Sequence, residues 1–187
     1  MTETAPQTLL KIDRLGGQGD GIADTPAGPV FVPLTLPGET VRASVRDGRA
    51  GDVEIVEASP DRIAPVSPHY GDCGGCSLQH WAAAPYLDWK RDQVRLALAR
   101  EGIETEIEPT VAVPAGTRRR LALHARRGPD GRVILGFKAR KSWRLVEVTA
   151  CPVADPRLVA AFPALTRVAE AFLEHPKSAP TLHVTLT

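Results

Sequence analysis

Cys73-Gly74-Gly75-Cys76-Ser77-Leu78-Gln79-His80, answered by Cys151-Pro152 75 residues after Cys76, is the stretch on which the fold turns. Cys73, Cys76 and Cys151 are the only three cysteines of the chain. Two thiols three positions apart at a glycine turn can grip one metal centre, and a distant third can close it. Cysteine thiolates are the donors that an iron–sulfur cluster or a structural zinc requires, in sets of four. This chain is one thiol short of that set.

Working outward, the 187-residue chain is long enough for one large domain or two small ones. No apolar run reaches the roughly 18 residues of a membrane span. The opening MTETAPQTLL lacks the basic and apolar regions of a signal peptide. The expectation is a cytoplasmic, membrane-free monomer, in whose reducing surroundings an odd number of cysteines points to metal binding rather than disulfides.

The net charge of +1 conceals a strong asymmetry. Between Thr117 and Arg144 stand ten bases (Arg118, Arg119, Arg120, Arg126, Arg127, Arg132, Lys138, Arg140, Lys141 and Arg144) against one acid, Asp130. The other 159 residues carry 21 acids against 13 bases. A basic island in a mildly acidic chain is the footprint of a polyanion partner, RNA or DNA first, or else a solvated strand face.

Residues 8–57 read as a small all-β unit. Leu9 to Ile12, Val30 to Val32, Val41 to Val45 and Val53 to Val56 are β-rich, with turns at Gly16 to Gly21, Pro37-Gly38 and Asp47-Gly48 between them. Short strands with glycine-rich turns predict a small closed barrel. The linker from Ser59 to Pro68 leads into the cysteine turn. A helix is predicted from Pro85 to about Arg100, ended by Gly102, with Leu87, Trp89, Val94, Leu96, Ala97 and Leu98 making an apolar face broad enough for burial on two sides. Leu121 to Ala125, Val133 to Lys138 and Leu145 to Val148 read as strands of an antiparallel sheet bearing the island. From Pro156 a helical stretch places Leu158, Ala161, Phe162, Leu165, Val168, Ala169 and Phe172 in the core, with Pro163 kinking or restarting it. Leu182, Val184 and Leu186 alternate with polar residues up to Thr187, a strand pattern without a terminating turn, as in a fragment.

These features, with Trp89-Lys90-Arg91-Asp92, Arg118-Arg119-Arg120 and Gly136-Phe137-Lys138 in this order, resemble the bacterial RNA (uracil-C5)-methyltransferases that use S-adenosylmethionine. The likeness is greatest to their ribosomal-RNA branch, which carries a 4Fe-4S iron–sulfur cluster. It runs from about Leu9 to Thr187. It implies a TRAM-type, OB-like barrel over residues 8–58 and an incomplete α+β central domain over residues 64–187. It also implies that the SAM-binding domain and the nucleophilic cysteine lie outside the chain. No catalytic or SAM-binding residue is therefore expected here, and the chain alone is expected to be inactive.

By the same resemblance, Cys73, Cys76 and Cys151 are cluster ligands, and Ser67 stands where the fourth cysteine belongs, six positions before Cys73. A serine hydroxyl is a far poorer ligand than a thiolate. A cluster with a weak fourth ligand, a three-iron form and no cluster all stay open, with His69 or Asp72 as stand-in donors. Arg118, Arg119 and Arg120 match a segment lying near the RNA in the family, and Lys138, Arg140, Lys141 and Arg144 extend that candidate surface. Trp143, inside the basic turn, either stacks on a base or packs locally. Trp81 and Trp89 read as packing around the cysteine turn.

Two other readings compete. One is a non-enzymatic, zinc-stabilised nucleic-acid-binding module using the three cysteines with His69 or His80. The other is a thiol–disulfide oxidoreductase using the CxxC, but the motif lacks the βαβ context of that class.

Overall fold

The computed structural model describes residues 6–175 and 178–187. The chain forms two compact units, Met1–Ala64 with Leu78–Val111, and Pro65–Ser77 with Ala112–Thr187. Together they make a sheet-rich α+β fold.

The first unit holds β1 (Gln7–Lys11), β2 (Arg14–Leu15), β3 (Gly21–Thr25), β4 (Gly28–Val32), β5 (Thr40–Arg46) and β6 (Arg49–Glu57) in one sheet, ordered β1-β5-β6-β4-β3-β2. Its two edge strands, β1 and β2, are joined only by Ile12 and Asp13. A flat sheet of this size would separate its edges by about 24 Å, whereas such a link spans about 10 Å. The sheet must therefore curl into a half-barrel. Ile12 secures the seam: its N–H donates to the Glu39 carbonyl at 2.8 Å, and its carbonyl accepts from Gly38 at 2.8 Å. Leu10, Ile12, Ala23, Val30, Val32, Val41 and Ala43 fill the concave side.

Glu39 fastens the chain that leaves the half-barrel. Its carboxylate, fully buried, accepts from the Leu36 N–H at 2.8 Å, the Ser59 N–H at 3.2 Å and Nη2 of Arg62 at 2.8 Å. Burial alone would raise this carboxyl. The Arg62 guanidinium and the two N–H groups outweigh it and hold the carboxyl below its ordinary range.

Helix α1 (Ala83–Arg100) follows the sequence expectation at both ends. Pro85 falls in the first turn, where no intrahelical donor is needed. Gly102, at φ +73°, closes the helix: its N–H reaches the Ala99 carbonyl at 3.1 Å, and the Ile103 N–H reaches Leu98 at 3.0 Å. Burial on two sides is not found. No residue of α1 is buried, and Val94 remains 50% exposed. Tyr86 and Trp89 carry the helix's packing, against Trp81, Leu15 and Leu36. The two tryptophans thus pack on the half-barrel through Leu15 and Leu36.

The second unit holds β7 (Arg120–Arg127), β8 (Val133–Lys138), β9 (Leu145–Glu147), α2 (Pro156–Ala160), α3 (Phe162–Glu170) and β10 (Thr181–Thr185). Its antiparallel sheet runs β10-β7-β8-β9. Leu121, Leu123, Ala125, Val133 and Leu135 turn one face to Leu158, Phe162, Ala169 and Leu173. Asp155 caps α2 by accepting from the Arg157 N–H at 2.9 Å, and Pro163 starts α3 afresh. Val168 and Phe172, expected in the core, are 51% and 65% exposed; Leu173 takes the buried place. The turn after α3 displaces the helical period by one residue there. No helix among the described residues is long and apolar enough to cross a membrane.

Candidate nucleic-acid interface and cysteine turn

The three cysteines belong to the second unit and are half-buried, with free thiols. The turn before Cys73 is built from its own backbone: Tyr70 N–H to Ser67 carbonyl at 3.1 Å, then Cys73 N–H to His69 carbonyl at 2.8 Å. It docks on the end of β8, where Gly74 N–H donates to the Lys138 carbonyl at 2.9 Å and Cys73 bridges Ala139. Glycine is required at that position, because a Cβ on Gly74 would stand 2.8 Å from the Lys138 carbonyl oxygen and 3.0 Å from the Arg140 nitrogen.

His69 ties the segment before Cys151 to the same turn. Its Nε2 accepts from the backbone N–H groups of Thr149 at 3.1 Å and Ala150 at 3.4 Å. Cys73 and Cys151 both pack against the second unit's core. Burial pushes the Cys73 thiol up, and the nearby Cys76, Cys151 and Asp72 push it further, against a 3.4 Å hydrogen bond from Gly75 N–H.

The stand-in ligands are committed elsewhere. His69 holds Thr149 and Ala150, and Asp72 pairs with Nη2 of Arg144 at 2.8 Å. Ser67 Oγ accepts from the His69 N–H at 3.3 Å. His80 is buried. These placements disfavour the zinc reading. Among the described residues no group of three or more Cys, His, Asp or Glu side chains stands at metal-holding spacing. The three thiols therefore do not stand together as a ligand set among the described residues.

The basic island divides by strand alternation. On β7, Leu121, Leu123 and Ala125 face the core, so Arg120, Ala122, His124 and Arg126 face away from it. Cross-strand register adds His183, opposite Ala122, and Gly136, opposite His124, to that outer face, and Lys138 follows Gly136 by two. Arg120, Arg126 and Lys138 therefore share one open face with His124 and His183. Arg118 and Arg119 are exposed just before β7; the Arg118 backbone is pinned by Val153 at 3.1 Å and Asp155 at 2.9 Å.

Other cations of the island have structural partners. Arg127 reaches the Leu173 carbonyl and Glu170, Arg132 grips Glu147 with both terminal guanidinium nitrogens, and Arg144 holds Asp72. Arg140 is half-buried, while Lys141 is exposed with φ +50° at the turn tip.

Sequence reasoning missed both histidines of the face. His124 Nδ1 lies 2.8 Å from Thr181 Oγ1. Burial lowers its affinity for a proton, and Lys138 and His183 add to the effect. The signal was present in the alternation of Leu182, Val184 and Leu186, which puts His183 on the polar side of β10.

No family model matches the chain. An uncharacterized RNA methyltransferase of Caulobacter vibrioides is 64% identical over 180 residues, covering 95% of this chain and 43% of that protein. The 23S rRNA (uracil(1939)-C(5))-methyltransferase RlmD of Halomonas elongata is 43% identical over 157 residues, 80% of this chain and 32% of its own length. This chain is similar to part of the RNA (uracil-C5)-methyltransferases. It spans less than half the length of these methyltransferase relatives. The crystal structure of Pyrococcus abyssi tRNA (uracil-54, C5)-methyltransferase, in complex with S-adenosyl-L-homocysteine, superposes with a TM-score of 0.61 at 27% identity. That match covers 87% of this chain and 37% of the Pyrococcus methyltransferase.

Proposed function

We propose that this chain is the RNA-recognition portion of a S-adenosylmethionine-dependent methyltransferase that modifies uridine C5 in ribosomal RNA. The observation that carries the reading is the outer face of the second sheet, where Arg120, Arg126 and Lys138 lie together. Guanidinium forks pair with phosphate oxygens and stack on splayed bases, which suits a folded RNA with unpaired loops. The name of the Halomonas relative supports a ribosomal substrate, and the S-adenosyl-L-homocysteine bound to the Pyrococcus protein supports SAM as methyl donor in the whole enzyme. In this reading, residues 8–58 are the TRAM-type barrel, residues 64–187 open the central domain, and the SAM site and nucleophile are supplied by residues beyond this chain.

A filter-binding titration against structured ribosomal RNA tests the proposal. Binding should weaken steeply with salt. Replacing Arg118, Arg119 and Arg120 together by alanine should flatten the log–log slope by roughly 0.7–0.9 for each phosphate no longer neutralised. Salt-independent affinity would overturn the RNA role.

Cys73, Cys76 and Cys151 are proposed as the ligands of an iron–sulfur cluster. What supports this is their shared unit, and the packing of Cys73 and Cys151 against the same core. The cluster would cross-link the turn from Ser67 to Cys76 with the segment leaving β9. Ser67→Cys supplies a fourth thiol at the mouth of that turn, and is expected to raise iron and acid-labile sulfide in anaerobically purified protein. Zinc without sulfide in both proteins would overturn the cluster.

A further inference from the structure

Trp143 is 85% exposed, the most exposed aromatic side chain among the described residues. A ring left in water gains nothing from the hydrophobic effect, so its position asks for a ligand or a chance. Its mounting argues against chance. The hairpin turn that carries it is closed by Ala139 N–H to Arg144 carbonyl at 2.7 Å, Ser142 N–H to Ala139 carbonyl at 3.2 Å and Arg144 N–H to Ser142 Oγ at 3.1 Å. The turn is anchored in addition to the cysteine turn, by the Gly74 hydrogen bond to Lys138 and the Arg144–Asp72 ion pair. The indole is thus presented on a braced support.

One flank of the ring is already taken by a cation. The Lys138 ammonium lies 3.8 Å from the ring centroid. Lys138 belongs to the basic outer face of the sheet, so the indole stands beside the surface proposed above for RNA.

We infer that Trp143 and Lys138 form a stacking site for one unpaired RNA nucleotide, the base lying on the indole and its phosphate drawn to the ammonium. This rests on the RNA reading of the sheet face and narrows it to single-stranded segments. A base within a duplex has both faces covered by its neighbours and offers none to the ring, whereas a splayed base does. A protein partner would also welcome an exposed tryptophan, but the surrounding cations select a polyanion.

The test compares a fluorescein-labelled single-stranded RNA decamer with its fully paired duplex, titrated by anisotropy against the whole chain. Trp143→Ala should weaken single-strand binding about tenfold and leave duplex binding within twofold, and Trp143→Phe should recover most of the loss. A decamer carrying 2-aminopurine should show quenching that Trp143→Ala removes. Equal loss on both RNAs, or loss on neither, overturns the stacking site and leaves the RNA reading standing. Absence of salt-sensitive binding of the unaltered chain to either RNA overturns both. Trp143 is exposed, so neither variant opens a cavity, and matched circular dichroism spectra confirm that the comparison is between folded proteins.

Discussion

Glu39→Ala is expected to destabilise the half-barrel unit by about 3–5 kcal/mol, the range for breaking a buried ion pair from one side. The carboxylate joins four groups: the Leu36 and Ser59 N–H groups, and Nε and Nη2 of Arg62. Removing it strands two buried donors and a largely buried guanidinium at once. The loss should appear in the near-ultraviolet signal of Trp81, because Leu36 packs beside that indole. Glu39→Gln keeps the shape without the charge and should fall between the two. The folded carboxyl is held below its ordinary range, so its contribution is fully present above the unfolded value. It is lost as pH falls through the folded value. Urea titrations at neutral and acid pH check both points; a midpoint unchanged by Glu39→Ala would show that the anchor contributes nothing.

The second large effect is expected at Gly136. A Cβ there would stand 1.9 Å from the Val146 carbonyl oxygen and 3.1 Å from the Glu147 Cα. Both obstacles are backbone, and neither can rotate away. Gly136→Ala must therefore part β8 from β9, at a cost of about 3 kcal/mol. The damage should propagate along the strands, since β8 ends in Lys138 and β9 leads towards Cys151. Hydrogen exchange of the β8 and β9 amides should accelerate while β1 to β6 keep their protection. Gly102→Ala is the instructive contrast: nothing lies within 4 Å of its Cβ, and only the positive φ opposes it. Its cost should be about 1 kcal/mol, so equal effects at the two glycines would refute the steric account.

Local patterns were legible wherever neighbouring residues set the outcome. The end of α1 followed from Gly102 because a left-handed residue after a helix is a property of the backbone itself. The β7 to β9 meander followed from the strand-like runs that begin at Leu121, Val133 and Leu145. Partner choice was another matter. Nothing local in Leu182 to Leu186 says that β10 pairs with β7, and nothing in Val94 or Leu96 says that their helix face stays exposed. Charge counting likewise treated Arg127, Arg132 and Arg144 as equals of Arg120. Their carboxylate partners, Glu170, Glu147 and Asp72, lie 15 to 72 residues away along the chain.

The sequence alone determined the three-thiol motif, the basic island and the family they resemble, because residue type and spacing suffice for chemistry and charge. Only the tertiary structure decided which cations share an open face, that His69 serves as a clamp on Thr149 and Ala150, and that Trp143 stands out beside Lys138. Those outcomes depend on cross-strand register and on hydrogen bonds between distant segments. The competing pairings differ in free energy through packing, and no short stretch of chain encodes packing by itself.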